Sequence, residues 1–579
     1  MALPYPNHSL SEMAADDDLR DGAAGRAGET RPQEPKPDDP PKKMSLRHVV
    51  LTIIICGGLV FSCLDTSIVS TALVSVSAEF QNYQDTPWIV LGYLLTYMSF
   101  AVGFSKLSDI YGRKNIVAVA WLLFTLGSVW CGIARRMGEL IAGRAVQGMG
   151  GSGLYSLAQV CLLEQGPSRP EVVGALVGMA LSVSFILGPL LGGAISEWNW
   201  RGIFWFNIPF GVLAVLGIYA LWPEERRNRY DTRTALSKID FLGNLLLAVA
   251  SILLVFAMQE AGSFVWSWSN PVIIWSLSTA GVCWAFLALW EYYLFYGSSR
   301  GIQPIFPMRL VKDRVYLLCL LATLLSGFVY IALVIKIPEY LQVIQGDNAL
   351  WAGVHLLPML GSCAFGSFLG GAISKRANFT SQTLILGGVI QVLGLAFVFG
   401  FAGNLGLGLL LGFTAIYGLG VGLSFAACTM IAAIEARNDD LAAAQGTIAQ
   451  ARVFGGAIGL AICTIIFNEK LRTSLGPGSG SMLGSDELDQ IHRNLIAVLA
   501  FPDEVRLQVI RVYLDAFRDQ MLVMTTVTVA ALLASLGTYR SGPGNVVDVM
   551  IQHKDFAGRP GGGGDIELSS ASSVRSLVR

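Results

Sequence analysis

Apolar runs of about 20 residues recur along this chain, and short polar segments separate them. A run of this length can cross the hydrocarbon core of a bilayer as a helix. Lipid offers no partner to an open backbone, so each run must close its own hydrogen bonds. The pattern therefore predicts membrane-spanning helices at 49–73, 87–108, 116–134, 139–163, 171–195, 203–222, 240–260, 271–296, 315–343, 351–374, 382–402, 406–434, 443–467 and 521–539.

Basic residues are distributed unequally between the two sets of loops, and this asymmetry predicts the orientation. With the N-terminus in the cytosol, the outward short loops hold only Arg135, Arg136 and Arg201. Both termini are thus expected to be cytosolic, and the segment 468–520 is expected to be an outer loop. Within it, Leu488–Phe501 and Val505–Phe517 have helical spacing. They lie on the membrane surface, cover the outer mouth or form a loosely packed loop. The inward short loops hold Arg113, Lys114, Arg169, Arg226, Arg227, Arg229, Arg233, Lys238, Arg300, Arg309, Lys312, Arg314, Lys375, Arg376 and Arg437.

Composition supports a membrane protein and excludes several other classes. The chain is 53% hydrophobic and only 14% charged, against roughly 25% charged residues in soluble domains. Its net charge of -1 gives no reason to expect nucleic acid as a partner. The nine cysteines lie in apolar runs without a CxxC pair, which indicates packing residues rather than a metal site. No GxxxxGK[ST], HExxH or GxSxG motif occurs, so neither an ATP-driven pump nor an enzyme is expected.

The loop between the second and third runs carries the first motif, with Asp109, Gly112, Arg113 and Lys114 in a short turn. It resembles the signature loop of the major facilitator superfamily, in which such residues bias the packing of neighbouring helices. Ser105 and Ile110 stand where that family usually has a glycine and a basic residue. A positive-inside anchor with a solvated acid would give a similar loop.

Two charged residues inside predicted spans form the candidate proton-coupling site, Asp65 in the first span and Arg144 in the fourth. Their surroundings resemble motifs of the 14-span drug:proton antiporters in that family, and Gln147, a possible cavity residue, belongs to the second motif. At 1.5 Å per residue they lie roughly 12 Å and 8 Å below the outer ends of their spans, which is a shared level. Burial favours a protonated carboxyl and a nearby arginine favours the ionised form. The pair therefore either loads and releases the exchanged proton or holds the two spans together statically.

The fifth span contains Gly188, Pro189, Gly192 and Gly193. This sequence is similar to the antiporter motif of the family, which importers generally lack, and it favours export. Glycine and proline at this spacing kink a helix and provide a smooth face for close contact. A kinked helix without directional meaning is the alternative.

The second half matches the family pattern less closely and offers three further candidate cavity residues. Lys336 and Glu339 are three residues apart on one helix face. They either neutralise each other or line the substrate cavity. Arg452, in the thirteenth span, could form an inner anion site, bind an acidic partner or point to the cytosolic interface.

The resemblance covers about residues 45–540 and implies an all-α polytopic membrane protein with the major facilitator fold, about 14 helices in two six-helix bundles plus two inserted helices. We expect disordered cytosolic tails at 1–46 and 540–579, an N-terminal bundle at 47–222, a linker with two extra helices at 223–314 and a C-terminal bundle at 315–539. Spans 1, 4, 9 and 12 would be the main lining of the substrate cavity.

The implied function is proton-coupled export of small amphipathic or apolar compounds by alternating access, as in fungal efflux pumps for toxins, drugs or secondary metabolites. Uptake or vacuolar exchange of a nutrient, siderophore or amino acid is an alternative, and a non-transporting sensor is another. We expect no cofactor, because a proton gradient would be the energy source. The expected partners are a small-molecule substrate and the lipid bilayer, without nucleic acid or an obligate protein partner. The plasma membrane is the expected location and the vacuolar membrane the alternative.

Overall fold

The computed structural model describes residues 46–165, 170–223, 240–263, 266–297, 302, 305–306, 308–373, 378–401, 406–436, 441–475 and 503–540. Across these ranges the regular secondary structure is helical, without strands. The helices are α1 Leu46–Ser70, α2 Leu73–Phe80, α3 Thr86–Tyr111, α4 Arg113–Ile133, α5 Met137–Gln165, α6 Pro170–Asn199, α7 Arg201–Leu221, α8 Phe241–Gly262, α9 Pro271–Gly297, α10 Met308–Val311, α11 Arg314–Tyr340, a π-helical turn Leu341–Gln345, α12 Ala349–Ile373, α13 Thr380–Phe401, α14 Leu407–Glu435, α15 Leu441–Leu475 and α16 Asp503–Leu536.

Each predicted span corresponds to one long helix, which confirms the all-α polytopic fold. In the described part of the chain, thirteen helices are long and apolar enough to cross a membrane. The remaining long helix, α5, has 29 residues and is less apolar because it carries Arg144, Gln147 and several glycines. It packs against α1, α3 and α4 instead of presenting a wholly apolar surface to lipid.

The last predicted span begins earlier than the apolar run indicates. Helix α16 starts at Asp503 rather than near residue 521, so Val505–Phe517 is its first part and not a surface segment. Helix α15 likewise continues to Leu475. Packing explains why α16 begins early. Its first part has a mixed polar and apolar sequence, and the ring contact between Tyr340 and Phe517 packs it against α11. The expected outer loop 468–520 is therefore shorter at both ends, and Leu488–Phe501 lies outside the described residues.

Local sequence signals explain several helix boundaries. Asp240 caps α8 by accepting a 2.8 Å hydrogen bond from the Gly243 amide, and Asp313 caps α11 through the Val315 amide at 2.7 Å. A single residue, Gly112, separates α3 from α4 with φ 88°, a conformation that glycine adopts without steric strain.

The helices pack in two groups of six. Helices α1 and α3–α7 form the N-terminal bundle, and α11–α16 form the C-terminal bundle. The bundles meet where α6 packs on α12 and where α3 packs on α15. Helix α8 contacts α3, α15 and its neighbour α9, so the inserted pair lies against both bundles. The domain limits drawn from the sequence stay predictions, since 224–239 and 541–579 lie outside the described residues.

Candidate functional site

The structure brings Asp65 and Arg144 into direct contact in the interior of the N-terminal bundle. Arg144 Nη1 donates to Asp65 Oδ2 and, at 2.7 Å, to Gln147 Oε1. Gln147 Nε2 donates to the other Asp65 oxygen at 2.7 Å. The exposed fraction is 0% for Asp65, 1% for Arg144 and 0% for Gln147. The carboxylate is thus held by charge and by donors on both oxygens, without access to water.

Two polar residues that the motif analysis assigned no chemistry extend this network. Ser128 of α4 accepts hydrogen bonds from Gln147 Nε2 at 3.0 Å and from Asn207 Nδ2 of α7 at 3.3 Å. Asn207 is fully buried and its Oδ1 has no hydrogen-bond partner in the described residues. The sequence signal that could have identified Asn207 is a polar residue inside an apolar span.

The donors around Asp65 match an ionised carboxylate. Each oxygen accepts a hydrogen bond, one from Arg144 and one from Gln147. A charged donor stabilises the ionised form, so loss of the Arg144 contact would remove that stabilisation. The same geometry also serves a static cross-link between α1 and α5.

One aromatic ring connects this network to a central cavity between the bundles. Arg144 Cζ lies 4.4 Å from the centroid of the Tyr93 ring, and Tyr93 also lines the cavity. The space between its lining atoms is about 830 Å³, a figure that includes open solvent, so the enclosed part is smaller. Residues from α1, α3, α5, α6, α11, α14 and α15 line it. The expected spans 1, 4, 9 and 12 correspond to α1, α5, α11 and α14, and three more helices contribute.

Of the four candidate cavity residues, Arg452 alone lines this cavity. Its guanidinium carbon lies 3.8 Å from the centroid of the Phe425 ring. Its Nε has no hydrogen-bond partner, and no carboxylate in the described part of the chain forms an ion pair with it. Gln147 belongs instead to the Asp65 network.

Lys336 and Glu339 form a separate buried cluster at the end of the bundles where α1 ends and α12 begins. Lys336 Nζ donates to Glu339 Oε2 at 2.9 Å. Glu339 Oε1 accepts from Tyr83, which precedes α3 in the other bundle, and at 3.2 Å from Tyr513 of α16. The pair is thus neutralised internally and also contacts the N-terminal bundle.

The motif in the fifth span contacts two different helices. A side chain at Gly192 would lie 2.2 Å from the Ile68 carbonyl oxygen of α1, within the N-terminal bundle. At Gly193 it would lie 2.6 Å from the Ala349 carbonyl oxygen of α12, in the other bundle. The Pro189 carbonyl oxygen lies 2.3 Å from the position that a side chain at Gly353 would take. Gly188 faces Ser67 of α1 in the same way as Gly192 faces Ile68.

The signature loop is compact at its α3 and α4 ends. The Arg113 guanidinium donates to the Ser108 hydroxyl and, at 3.4 Å, to the Ser105 carbonyl. Lys114 Nζ donates to the Tyr219 carbonyl of α7 at 3.3 Å. Asp109 lies on the last turn of α3, but its side chain lies outside the described part of the structure. Its role as a conformational-switch residue stays a prediction.

Comparison with known proteins identifies the class. A family profile for the Major Facilitator Superfamily matches residues 55–460, and the chain belongs to this family. It is therefore a multi-pass membrane transporter and not an enzyme.

Relatives and solved structures agree with this assignment. The chain is 33% identical over 500 residues to "MFS-type transporter FPY5" of Fusarium mangiferae, which covers 84% of this chain and 82% of that protein. It is 31% identical over 350 residues to "Multidrug resistance protein 3" of Bacillus subtilis (strain 168), over 59% of this chain and 64% of that one. It is 29% identical over 371 residues to the "Aspyridones efflux protein" of Neocamarosporium betae, over 63% and 64%. The fold resembles an inward-facing bacterial homologue of the human lysosomal transporter Spinster, with TM-score 0.56 and 14% identity over 86% of this chain and 100% of that one.

Proposed function

We propose that this transporter exports small amphipathic or apolar compounds in exchange for protons. The observation that carries the proposal is a fully buried ion pair, Asp65 with Arg144, that a single ring, Tyr93, separates from the central cavity. A buried ionisable group inside a membrane protein is costly and serves function more often than packing. The names of two relatives, a multidrug resistance protein and an efflux protein, also favour export.

The coupling follows from the contacts of the carboxylate. While Arg144 and Gln147 donate to Asp65, the ionised form is favoured. Cargo in the cavity holds the Tyr93 ring, and with it the guanidinium that lies against the ring, on Asp65. When cargo leaves, the ring and the guanidinium can move away, and the desolvated carboxylate then takes up a proton. Cargo and proton then bind in exclusive states of the site, as exchange requires. The proton gradient is the energy source, and no cofactor is needed. We place the protein in the plasma membrane with both termini cytosolic.

Transport by the purified protein in liposomes tests the proposal. The lumen of the liposomes is acidic, and valinomycin with equal potassium on both sides holds the membrane potential at zero. Two fluorescent probes with the same xanthene core serve as cargo, the anion sulforhodamine B and the cation tetramethylrhodamine ethyl ester. We expect at least one of them to accumulate in the acidic lumen while the lumenal pH rises. Movement in the opposite direction, with protons, would instead indicate an importer. Absence of any protein-dependent movement would indicate a sensor.

Substitution of the carboxylate tests the role of the pair. Asp65→Asn should abolish accumulation driven by the pH gradient, because asparagine carries no exchangeable proton. Asp519→Asn is the matched control, since Asp519 is half exposed, pairs with Lys470 and does not line the cavity. The double variant Asp65→Asn/Arg144→Gln removes both charges and so avoids an unpaired arginine. If the double variant still accumulates cargo in response to the gradient, the pair is a static cross-link.

A further inference from the structure

The central cavity carries a positive charge that forms no ion pair with any of the described residues. Among the described residues that line it, Arg452 is the one charged side chain. The buried carboxylates Asp65 and Glu339 are already paired with Arg144 and Lys336. Arg452 is only partly buried, and it lies in a membrane-spanning helix beside the cavity, where an arginine pairs with an anion or faces a polar cavity. This position is therefore suited to an anionic partner.

The position of Arg452 is fixed by the packing of its helix. A side chain at Gly327 of α11 would lie 2.2 Å from the Arg452 carbonyl oxygen, so α11 and α15 approach closely at this level. The guanidinium is laid over Phe425 of α14, 3.8 Å from the ring centroid. A cation over an aromatic face is partly stabilised, but the ring supplies no hydrogen-bond acceptor in its plane. The Nε of Arg452 accordingly remains without a partner.

The rest of the cavity wall favours a flat apolar body next to that charge. Six aromatic residues line it, and four ring pairs among them lie within 6.1 Å of each other. Aromatic rings at these distances provide stacking surfaces for a planar ligand. They are Tyr93, Tyr97, Tyr155, Phe185, Tyr330 and Phe425.

We infer that the cargo is an amphipathic organic anion, with its acidic group held by Arg452 and its apolar, ring-containing body against the aromatic wall. This inference rests on the proposed function, because it names the substrate class of the same cavity. It also gives the two halves of the molecule separate tasks. The N-terminal bundle holds the proton site at Asp65, and the C-terminal bundle holds the anion site at Arg452.

Binding to the purified full-length protein tests the inference without requiring transport. Fluorescence anisotropy at constant pH compares sulforhodamine B, the anion, with tetramethylrhodamine ethyl ester, the cation. We expect the anion to bind at least tenfold more tightly. Arg452→Gln should remove this preference, and Arg452→Lys should keep part of it because the charge remains. Arg518→Gln is the matched control, since Arg518 also lies over a phenylalanine ring, Phe399, but outside the cavity.

Several results would overturn the inference. These are failure of the anion to bind, binding of the cation at least as tightly as the anion, and a preference for the anion that persists in Arg452→Gln. The liposome assay separates this from the proposed function. Preferential binding of the anion without gradient-driven movement would contradict proton-coupled export and leave the anion site standing. Gradient-driven movement of the cation alone would support proton-coupled export and contradict the anion site.

Discussion

Among the described residues, each bundle contains one buried pair of opposite charges, and the two pairs are built differently. Asp65 and Arg144 lie on separate helices of one bundle, and the partners that complete their network come from that same bundle. Lys336 and Glu339 lie one turn apart on α11, and Glu339 also accepts a hydrogen bond from Tyr83 of the opposite bundle. The first pair can therefore change its protonation without separating the bundles, whereas the second pair is tied to their contact.

Under the proposed function, the difference separates two tasks of alternating access. A site inside one bundle would couple a proton to the cavity, because Tyr93 touches both. A site between bundles can hold one end of the molecule closed. Gln342 of the π-helical turn supports the second role, since its Nε2 donates to the Thr71 carbonyl of the opposite bundle at 3.3 Å. The predicted topology places this end on the outer side of the membrane.

The largest effect is expected from removing one member of the N-terminal pair. Arg144→Gln leaves the Asp65 carboxylate buried without its cation, and breaking a pair in this way costs about 3–5 kcal/mol. The midpoint of unfolding of the detergent-purified protein should fall sharply. Lys336→Gln should cost less, about 1–3 kcal/mol, because Tyr83 and Tyr513 still donate to Glu339. Lys470→Gln, in a partly exposed pair, should change stability by less than about 1 kcal/mol. An equal loss in all three variants would contradict the comparison.

An intermediate effect is expected from adding a methyl group to the fifth span. Gly192→Ala directs the methyl group at the Ile68 backbone within the N-terminal bundle. The variant should lose about 1–3 kcal/mol of stability, and its unfolding midpoint should fall accordingly. Gly193→Ala directs it at Ala349 and Leu350 of the opposite bundle, so it should favour separation at this end. Spin labels on cysteines introduced at the exposed Gln81 and Gln345 would measure the separation in a background without native cysteines.

A matched control for these two variants is Gly361→Ala. A side chain at Gly361 on α12 would meet no atom within 4 Å, so neither stability nor the label distance should change. The assignment of the two glycines to different contacts fails if Gly192→Ala and Gly193→Ala change the label distance equally.

The spans and the first charged pair are predictable from sequence for a simple physical reason. A helix converts residue spacing into depth, so counting residues from the span ends is enough to place Asp65 and Arg144 at one level. Their surroundings are less predictable. Ser128 and Asn207 enter the network from α4 and α7, and short polar side chains in apolar runs give no signal of which neighbour they face.

Long-range packing explains the remaining differences. Arg452 could have faced an anion, a partner or the cytosolic interface, and only the approach of α15 to α11 decides that it lines the cavity. The early start of α16 has the same origin. Its first turns are too polar to be read as a span, and they become part of one helix because Tyr513 and Phe517 pack against Phe467 and Tyr340.

The most local effect is expected from two hydroxyl groups that donate to the same atom. Tyr83→Phe removes a hydrogen bond from the opposite bundle to Glu339 Oε1, and Tyr513→Phe removes one from within the C-terminal bundle. A hydrogen bond to a charged group contributes about 1.5–3 kcal/mol. Tyr83→Phe should therefore raise the population that is open at this end by roughly tenfold or more, and the labels at Gln81 and Gln345 report it.

Tyr513→Phe is the control, because it should lower the unfolding midpoint without moving the labels apart. The effect of Tyr83→Phe should also be independent of pH near neutrality. Burial and the Glu339 carboxylate raise the pKa of Tyr83 well above its usual value, so its hydroxyl keeps the proton that it donates. Equal separation of the labels in both variants would mean that Glu339 stabilises its own bundle alone. In that case the second pair would be as self-contained as the first, and closure would depend on Gln342 and the α6–α12 contact.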